Sequence, residues 1–208
     1  MLHRLAREDC LVVAIGGSAG SIQVLMTVLS GLPSDFNGIL LIAIHRPYGR
    51  KSLLADLLRR GTYLQVVEIV DSEELTSAVV YLSEPAQHLT LRKDGYRARL
   101  LPDPFRLRRN QSIDELFTSV AESAGPRAVG VLLSGMLDDG VEGLRAIKSA
   151  GGVTIVQDPE DARWPDMPLS ALRSVDIDHV LAHRRIAPVL VELAQRLGGS
   201  AAPPSQPA

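Results

Sequence analysis

Short apolar runs and amphipathic stretches alternate along this chain. Residues 11–15 are uninterruptedly apolar and end in the turn Gly16-Gly17-Ser18-Ala19-Gly20-Ser21. Behind the turn, Ile22, Leu25, Met26 and Leu29 recur at the i, i+3, i+4, i+7 spacing of one helix face, and Gly31 and Pro33 stop that helix. A second apolar run, 38–44, closes on His45. The helix after it carries Leu53, Leu54, Leu57 and Leu58 and leads to a strand over 64–70. The alternation then breaks. Residues 79–82, 88–92 and 97–101, the last two flanking Lys93-Asp94-Gly95, predict an antiparallel excursion with a β-hairpin. It resumes with a helix over 113–123, a strand over 128–133, a helix over 141–150 and a strand over 153–156. A short helix near Leu169, an apolar run over 179–181 and a helix over 186–197 complete the pattern. Continuously apolar strands separated by helices describe a parallel sheet covered on both faces. The expected fold is therefore α/β, doubly wound and mostly parallel, with helices on both faces and an antiparallel β-hairpin insertion. Residues 1–10 read as a lead-in, 11–197 as the folded domain, and 198–208, small and proline-rich, as a disordered tail.

Composition narrows the function classes. The 208 residues are 46% apolar and 22% charged, enough for one domain with a substantial core. A formal charge of −2 gives no electrostatic reason to expect nucleic acid as a partner. No apolar run approaches the ~20 residues a membrane span needs. The opening MLHRLAREDC lacks the apolar centre of a signal peptide, so neither membrane insertion nor export is expected. The single cysteine, Cys10, excludes an intramolecular disulfide and fits a cytoplasmic location. His3, His179 and His183 show no ligand spacing, and no metal or cofactor is expected. His88 is placed in the hairpin as an edge residue, and Arg106, Arg108 and Arg109 in a solvated basic loop.

Three strand ends carry groups that make chemical sense together, and in open α/β sheets ligands bind at such ends. The first strand delivers Gly16-Gly17-Ser18-Ala19-Gly20, the G-x-S-x-G pattern that exposes a serine hydroxyl between strand and helix. The N–H of Ala19 and the start of the following helix can face a developing oxyanion. The second strand delivers His45, a candidate general base. The strand over 128–133 delivers Ser134-Gly135-Met136-Leu137-Asp138-Asp139-Gly140, and either carboxylate can orient the imidazole. The chain order Ser, His, Asp differs from the Ser, Asp, His order of α/β-hydrolases. A dinucleotide-binding reading of the first turn would need glycines at Ser18 and Ser21 and an acidic residue where His45 stands.

The segments AIGGSAGS, ILLIAIHRP, NQSIDELFTSVAESAG, AVGVLLSGMLDDGVEGLRAIKSAGGVTIVQD and DARWPDMPLSAL resemble the catalytic domain of the CheB-type chemotaxis protein-glutamate methylesterases, over residues 11–193. The resemblance implies hydrolysis of glutamate methyl esters on the cytoplasmic helices of chemoreceptors, with methanol released, and deamidation of receptor glutamines. It assigns Ser18 as nucleophile, His45 as base, Asp139 rather than Asp138 as orienting acid, and the Met136 N–H as an oxyanion donor beside Ala19. Trp164 and Met167 are expected in the substrate groove. The chain departs from the family pattern at Ala19, where threonine is frequent, at Asp138, where asparagine is common, and at Asp166, where glycine is frequent. Family members commonly carry a phosphorylatable receiver domain ahead of the catalytic one. Here the first strand opens at Leu11, so either a naturally stand-alone domain or a truncated piece of a longer chain is expected, with a separate response regulator or sensory-complex protein as a controlling partner. Two other readings keep the same residues: a serine esterase or amidase with another substrate, and a non-catalytic module that binds partners in a sensory complex.

Overall fold

A computed structural model describes residues 9–47, 52–85, 87–93, 97–103 and 111–199. Its centre is a seven-stranded parallel sheet in the order β3-β4-β2-β1-β7-β8-β9. The strands are β1 (Leu11–Gly17), β2 (Gly38–Ile44), β3 (Gln65–Ile69), β4 (Val79–Ser83), β7 (Ala128–Leu132), β8 (Val153–Gln157) and β9 (His179–Leu181). Between β4 and β7 the chain forms a separate antiparallel pair, β5 (Gln87–Leu91) with β6 (Ala98–Pro102). The helices are α1 (Ser21–Ser30), α2 (Leu54–Gly61), α3 (Ser112–Ala124), α4 (Val141–Ser149), α5 (Asp166–Ser174) and α6 (His183–Gly199).

The continuous apolar runs follow from burial on both faces. Alternate residues of β1 point into opposite cores. Val12 and Ala14 join Ile113, Phe117, Val120, Leu144 and Ile147 beneath α3 and α4. Leu11, Val13 and Ile15 join Leu25, Leu29, Leu58, Ile186 and Leu190 beneath α1, α2 and α6. β1 is the central strand and pairs with β2 on one side and β7 on the other. The chain therefore turns one way after β1 and the other way later. The carboxyl ends of β1, β2 and β7 open together at the reversal, where an α/β sheet binds ligands.

The structure revises several sequence expectations. β4 belongs to the main sheet, parallel to both β2 and β3, and not to the antiparallel excursion. The β3–β4 connection, 70–78, contains no helix, so the helix–strand alternation that marks parallel strands is missing there. Leu54 and Leu58 of α2 are buried, while Leu57 and the preceding Leu53 face outward. His88 is buried rather than at an edge, and its Nδ1 meets Glu115 Oε2 on α3 at 2.6 Å. Helix α6 runs to Gly199, two residues into the expected tail. Residues 1–8, the turn residues Asp94 and Gly95, the cluster Arg106, Arg108 and Arg109, and residues 200–208 lie outside the described residues.

Candidate functional site

Backbone bonds lace the three strand ends into one unit. The Ser18 N–H donates to Ser134 O at 3.0 Å, and the His45 N–H donates to Gly17 O at 3.0 Å. Ser18 sits in a tight link between β1 and α1. Its carbonyl accepts from both the Ser21 hydroxyl (2.6 Å) and the Ser21 N–H (3.2 Å). The left-handed residue of this link is Gly20, at φ 79°, and not the serine. The G-x-S-x-G pattern thus gives strand, turn and helix as expected, with the backbone demand two residues further on. A side chain at Gly20 would also meet Ser134 Oγ at 2.9 Å and Trp164 Cδ1 at 3.1 Å.

His45 follows β2, and its Nε2 lies 2.7 Å from Asp139 Oδ2. A carboxylate only accepts hydrogen bonds, so the bonded nitrogen carries the hydrogen and Nδ1 is left with a lone pair. Asp139 is the better held of the two candidate carboxylates, because Asp138 is exposed. Asp139 is almost wholly buried and also accepts the N–H groups of Ile113 at Oδ2 (3.1 Å) and Asp114 at Oδ1 (2.9 Å). Those are donors of the first turn of α3, where the helix dipole favours negative charge. The helix thus fixes the carboxylate, and the carboxylate fixes the imidazole tautomer.

Ser18, Ala19 and Gly20 share a groove of about 530 Å³ with His45, Ile22 and Gln23; Asp161, Arg163 and His183 line its far part. The Ser18 hydroxyl has no hydrogen-bond partner among the described residues. The N–H groups of Ala19 and Met136 are likewise without partners among the described residues, and Met136 is exposed. Leu137, next to Met136, takes the left-handed conformation at φ 68°. This is uncommon for a residue with a Cβ, and such positions cluster at functional sites.

Trp164 and Met167 part company. Trp164 is partly exposed, with its ring against Gly20. The Trp164 backbone N–H donates to Ser134 Oγ at 3.0 Å, and its carbonyl accepts the Gly135 N–H at 2.9 Å. Met167 does not line the groove as expected. It is fully buried, with its sulfur packed beneath Gly135 and its N–H donating to Gly135 O at 3.0 Å. The first turn of α5 docks under the 134–137 loop, so the side chain supports that loop from inside.

Sequence reasoning missed three residues around this site. Gln157 is fully buried; its Oε1 accepts the Ser134 N–H at 2.9 Å and its Nε2 donates to Asp161 Oδ2 at 2.8 Å. Asp161 in turn accepts the His183 N–H at 2.8 Å and the His183 Nδ1 at 2.7 Å. Burial alone would raise Asp161, but the His183 N–H, the Gln157 amide and the His183 ring outweigh it and hold the carboxyl below its ordinary range. The third is Asp114, whose Oδ1 accepts the N–H groups of Gly140 (2.9 Å) and Gly143 (2.7 Å). Burial pushes Asp114 up to about 6. The Gly143 N–H pulls it back, the charge of Asp139 adds to the rise, and the Gly140 N–H opposes it. An acidic residue in a helix's first turn was the available signal, but it reads equally well as ordinary capping.

The chain is similar to known proteins along most of its length. A family model described as CheB methylesterase matches residues 13–190. The protein-glutamate methylesterase/protein-glutamine glutaminase 4 of Anaeromyxobacter dehalogenans is 35% identical over 197 residues, covering 94% of this chain and 55% of the relative. A Xanthomonas campestris protein-glutamate methylesterase/protein-glutamine glutaminase 1 is 35% identical over 185 residues, with 88% of this chain and 51% of the relative covered. The chain thus spans about half the length of these two relatives. A putative protein-glutamate methylesterase/protein-glutamine glutaminase of Leptospira interrogans, 33% identical over 183 residues, is covered over 94% of its length. Among solved structures, the Thermotoga maritima CheB methylesterase catalytic domain superposes with a TM-score of 0.79 at 28% identity, covering 88% of this chain and 98% of that one.

Proposed function

The chain belongs to the CheB methylesterase family, and from that premise we propose that it hydrolyses glutamate methyl esters on the cytoplasmic helices of chemoreceptors through Ser18, His45 and Asp139. The observation that carries the reading is the His45–Asp139 bond at 2.7 Å, made by a histidine that lines the same groove as Ser18.

Ser18 Oγ attacks the ester carbonyl as His45 Nδ1 takes its proton. Asp139 stabilises the imidazolium through Nε2 and keeps the ring in place. The ring is used in the opposite sense to the serine-protease arrangement, where the aspartate holds Nδ1 and Nε2 faces the serine. The tetrahedral oxyanion lies against the free N–H groups of Ala19 and Met136. Collapse expels methoxide, which leaves as methanol with the proton from His45, and an acyl-enzyme at Ser18 remains. Water, deprotonated by His45, then releases glutamate and restores the hydroxyl. A glutamine side chain follows the same path with ammonia as the leaving group, in keeping with the glutaminase activity named for the relatives. The 134–137 loop and the Trp164 ring border the substrate path. No helix among the described residues is long and apolar enough to cross a membrane.

The direct test is methanol release from methylated receptor membranes by the purified protein. Release that stops with Ser18→Ala supports the reading. Absence of both methanol release and any esterase turnover in the wild type would leave the non-catalytic binding module as the better account.

A further inference from the structure

Asp114 takes no part in the steps above, yet it is bonded to the same stretch of backbone that carries Asp139. The two aspartates cap each other's helices. Asp139 stands just before α4 and accepts the first N–H groups of α3; Asp114 stands in the first turn of α3 and accepts N–H groups at the start of α4. The exchange closes into a ring between neighbours: the Asp114 N–H donates to Asp139 at 2.9 Å while the Gly140 N–H donates to Asp114 at 2.9 Å.

Resting on the proposed triad, we infer that Asp114 is a positioning residue for the reaction: it pins the Gly140 end of the 134–140 loop, and so keeps Asp139 on His45 Nε2. Asp139 lies in a stretch with little intrinsic preference for its shape. Leu137 and Gly140, at φ 68° and 102°, flank it in left-handed backbone. A side chain at Gly140 would meet Leu132 Cδ1 at 2.7 Å and Ile113 Cγ2 at 2.8 Å, so the loop passes tightly over the core at that point. Two torsions separate the Asp139 carboxylate from its backbone, so a shift at Gly140 is transmitted directly to the His45 bond. A misplacement of about 1 Å at a reacting group can cost on the order of 100-fold in rate.

The position is also a costly one for a plain cap. Asp114 shares a polar cavity of about 370 Å³ with Asp138, Asp139, Glu142 and Arg173 and a second, of about 390 Å³, with Glu115 and Glu122, and His45 lies beyond Asp139. Burial and the Asp139 charge both oppose its ionisation.

The test compares wild type, Asp114→Ala and Asp114→Asn. The substrates are a methyl-esterified receptor-helix peptide and a small p-nitrophenyl ester. Active sites are counted by labelling Ser18 to completion with a fluorophosphonate. Asp114→Ala is expected to lower kcat per labelled site about 10- to 100-fold on both substrates, with KM changed less than about twofold. Asp114→Asn keeps an acceptor oxygen for Gly140 and Gly143, so kcat returns to within about threefold of wild type. The acid limb of its kcat/KM profile moves to lower pH, because a negative charge near the Asp139–His45 pair is gone. A merely structural role would reduce melting temperature or labelled fraction while leaving kcat per labelled site intact. Wild-type kcat per site in Asp114→Ala, or a loss in Asp114→Asn as deep as in Asp114→Ala, overturns the inference. If Asp114→Ala does not fold, Asp114→Ser, with its shorter reach, takes its place under the same criteria. A wild type that neither labels nor turns over either ester would instead sink the triad itself, which is a different result.

Discussion

His45 and His183 stand along one groove, and each gives a ring nitrogen to an aspartate. His45 uses Nε2 to meet Asp139, leaving Nδ1 with a lone pair, and lines the groove that Ser18 also lines. His183 uses Nδ1 to meet Asp161 at 2.7 and 2.9 Å, and its own N–H bonds the same carboxylate. The acids differ more than the rings. Asp139 is 1% exposed and fed by the first turn of a 13-residue helix, whereas Asp161 is 21% exposed in a loop. In the first pair the carboxylate is anchored, as the proposed triad requires of a ring that serves Ser18. In the second, the ring and the carboxylate mainly join α6 to the loop after β8, and through Gln157 to Ser134. A histidine–carboxylate bond is therefore not by itself a sign of catalysis; what separates the two pairs in the structure is what fixes the acid.

Mutation of the first pair should give the largest effects. Ser18→Ala is expected to abolish esterase turnover while the melting temperature holds, because the hydroxyl has no partner among the described residues. His45→Ala should be nearly as severe, since residues that act as a unit lose activity non-additively. Asp139→Asn disturbs the tautomer; the corresponding change in the serine-protease triad lowers kcat about 10⁴-fold. Asp138→Asn, on the exposed neighbour, should cost less than about tenfold, acting through charge alone. Steady-state kinetics on purified variants would break the comparison if Asp138→Asn proved the worse of the two. The second pair should behave differently. His183→Ala is expected to lower kcat on a small ester by less than about threefold and to reduce thermal stability instead. A 100-fold loss of kcat in that variant would make the two pairs functionally alike.

How far these pairs could be read from the sequence follows from the range of the forces that make them. Apolar periodicity is local, so β1, α1, β2 and α3 lie close to where the pattern puts them. The polar groups at the ends of β1, β2 and β7 could be named for the same reason: each closes a legible strand. Strand order is set by contacts between distant segments, and β4 was misplaced because no helix marks its crossover from β3. The same limit hid His183. Its partner Asp161 is 22 residues away, and no spacing rule connects a loop aspartate to a residue at a helix start. Met167 shows a further limit. The family resemblance puts Met167 in the substrate groove, but the residue is turned inward on α5, which begins at Asp166. Asp139 could be preferred to Asp138 from the family resemblance, whereas the crossed capping with Asp114 needed both helix starts in space.

The smallest effects concern stability against pH, and here Asp161, which holds His183, and Asp114, which braces the acid that holds His45, should differ in sign. Asp161 is held below its ordinary range by hydrogen bonds that outweigh its burial. The folded state therefore binds its proton less readily than the unfolded chain does. Its stabilising contribution is present above the unfolded value near 4 and fades as pH falls through the lower folded value. Asp114, which braces Asp139, is shifted the other way, up to about 6, chiefly by burial. Its contribution is full below about 4 and is lost as pH rises through about 6. Melting temperatures of Asp161→Asn and Asp114→Asn, each taken relative to wild type between pH 3.5 and 7.5, should thus change in opposite directions. The deficit of Asp161→Asn deepens as pH rises from the acid end. The difference between Asp114→Asn and wild type becomes more favourable to the variant, with most of the change between pH 4 and 6. Because only slopes are compared, any constant loss from the altered hydrogen bonds cancels. Parallel slopes would mean that Asp114 and Asp161 sit in equivalent electrostatic surroundings, contrary to the helix-start and loop settings that distinguish them.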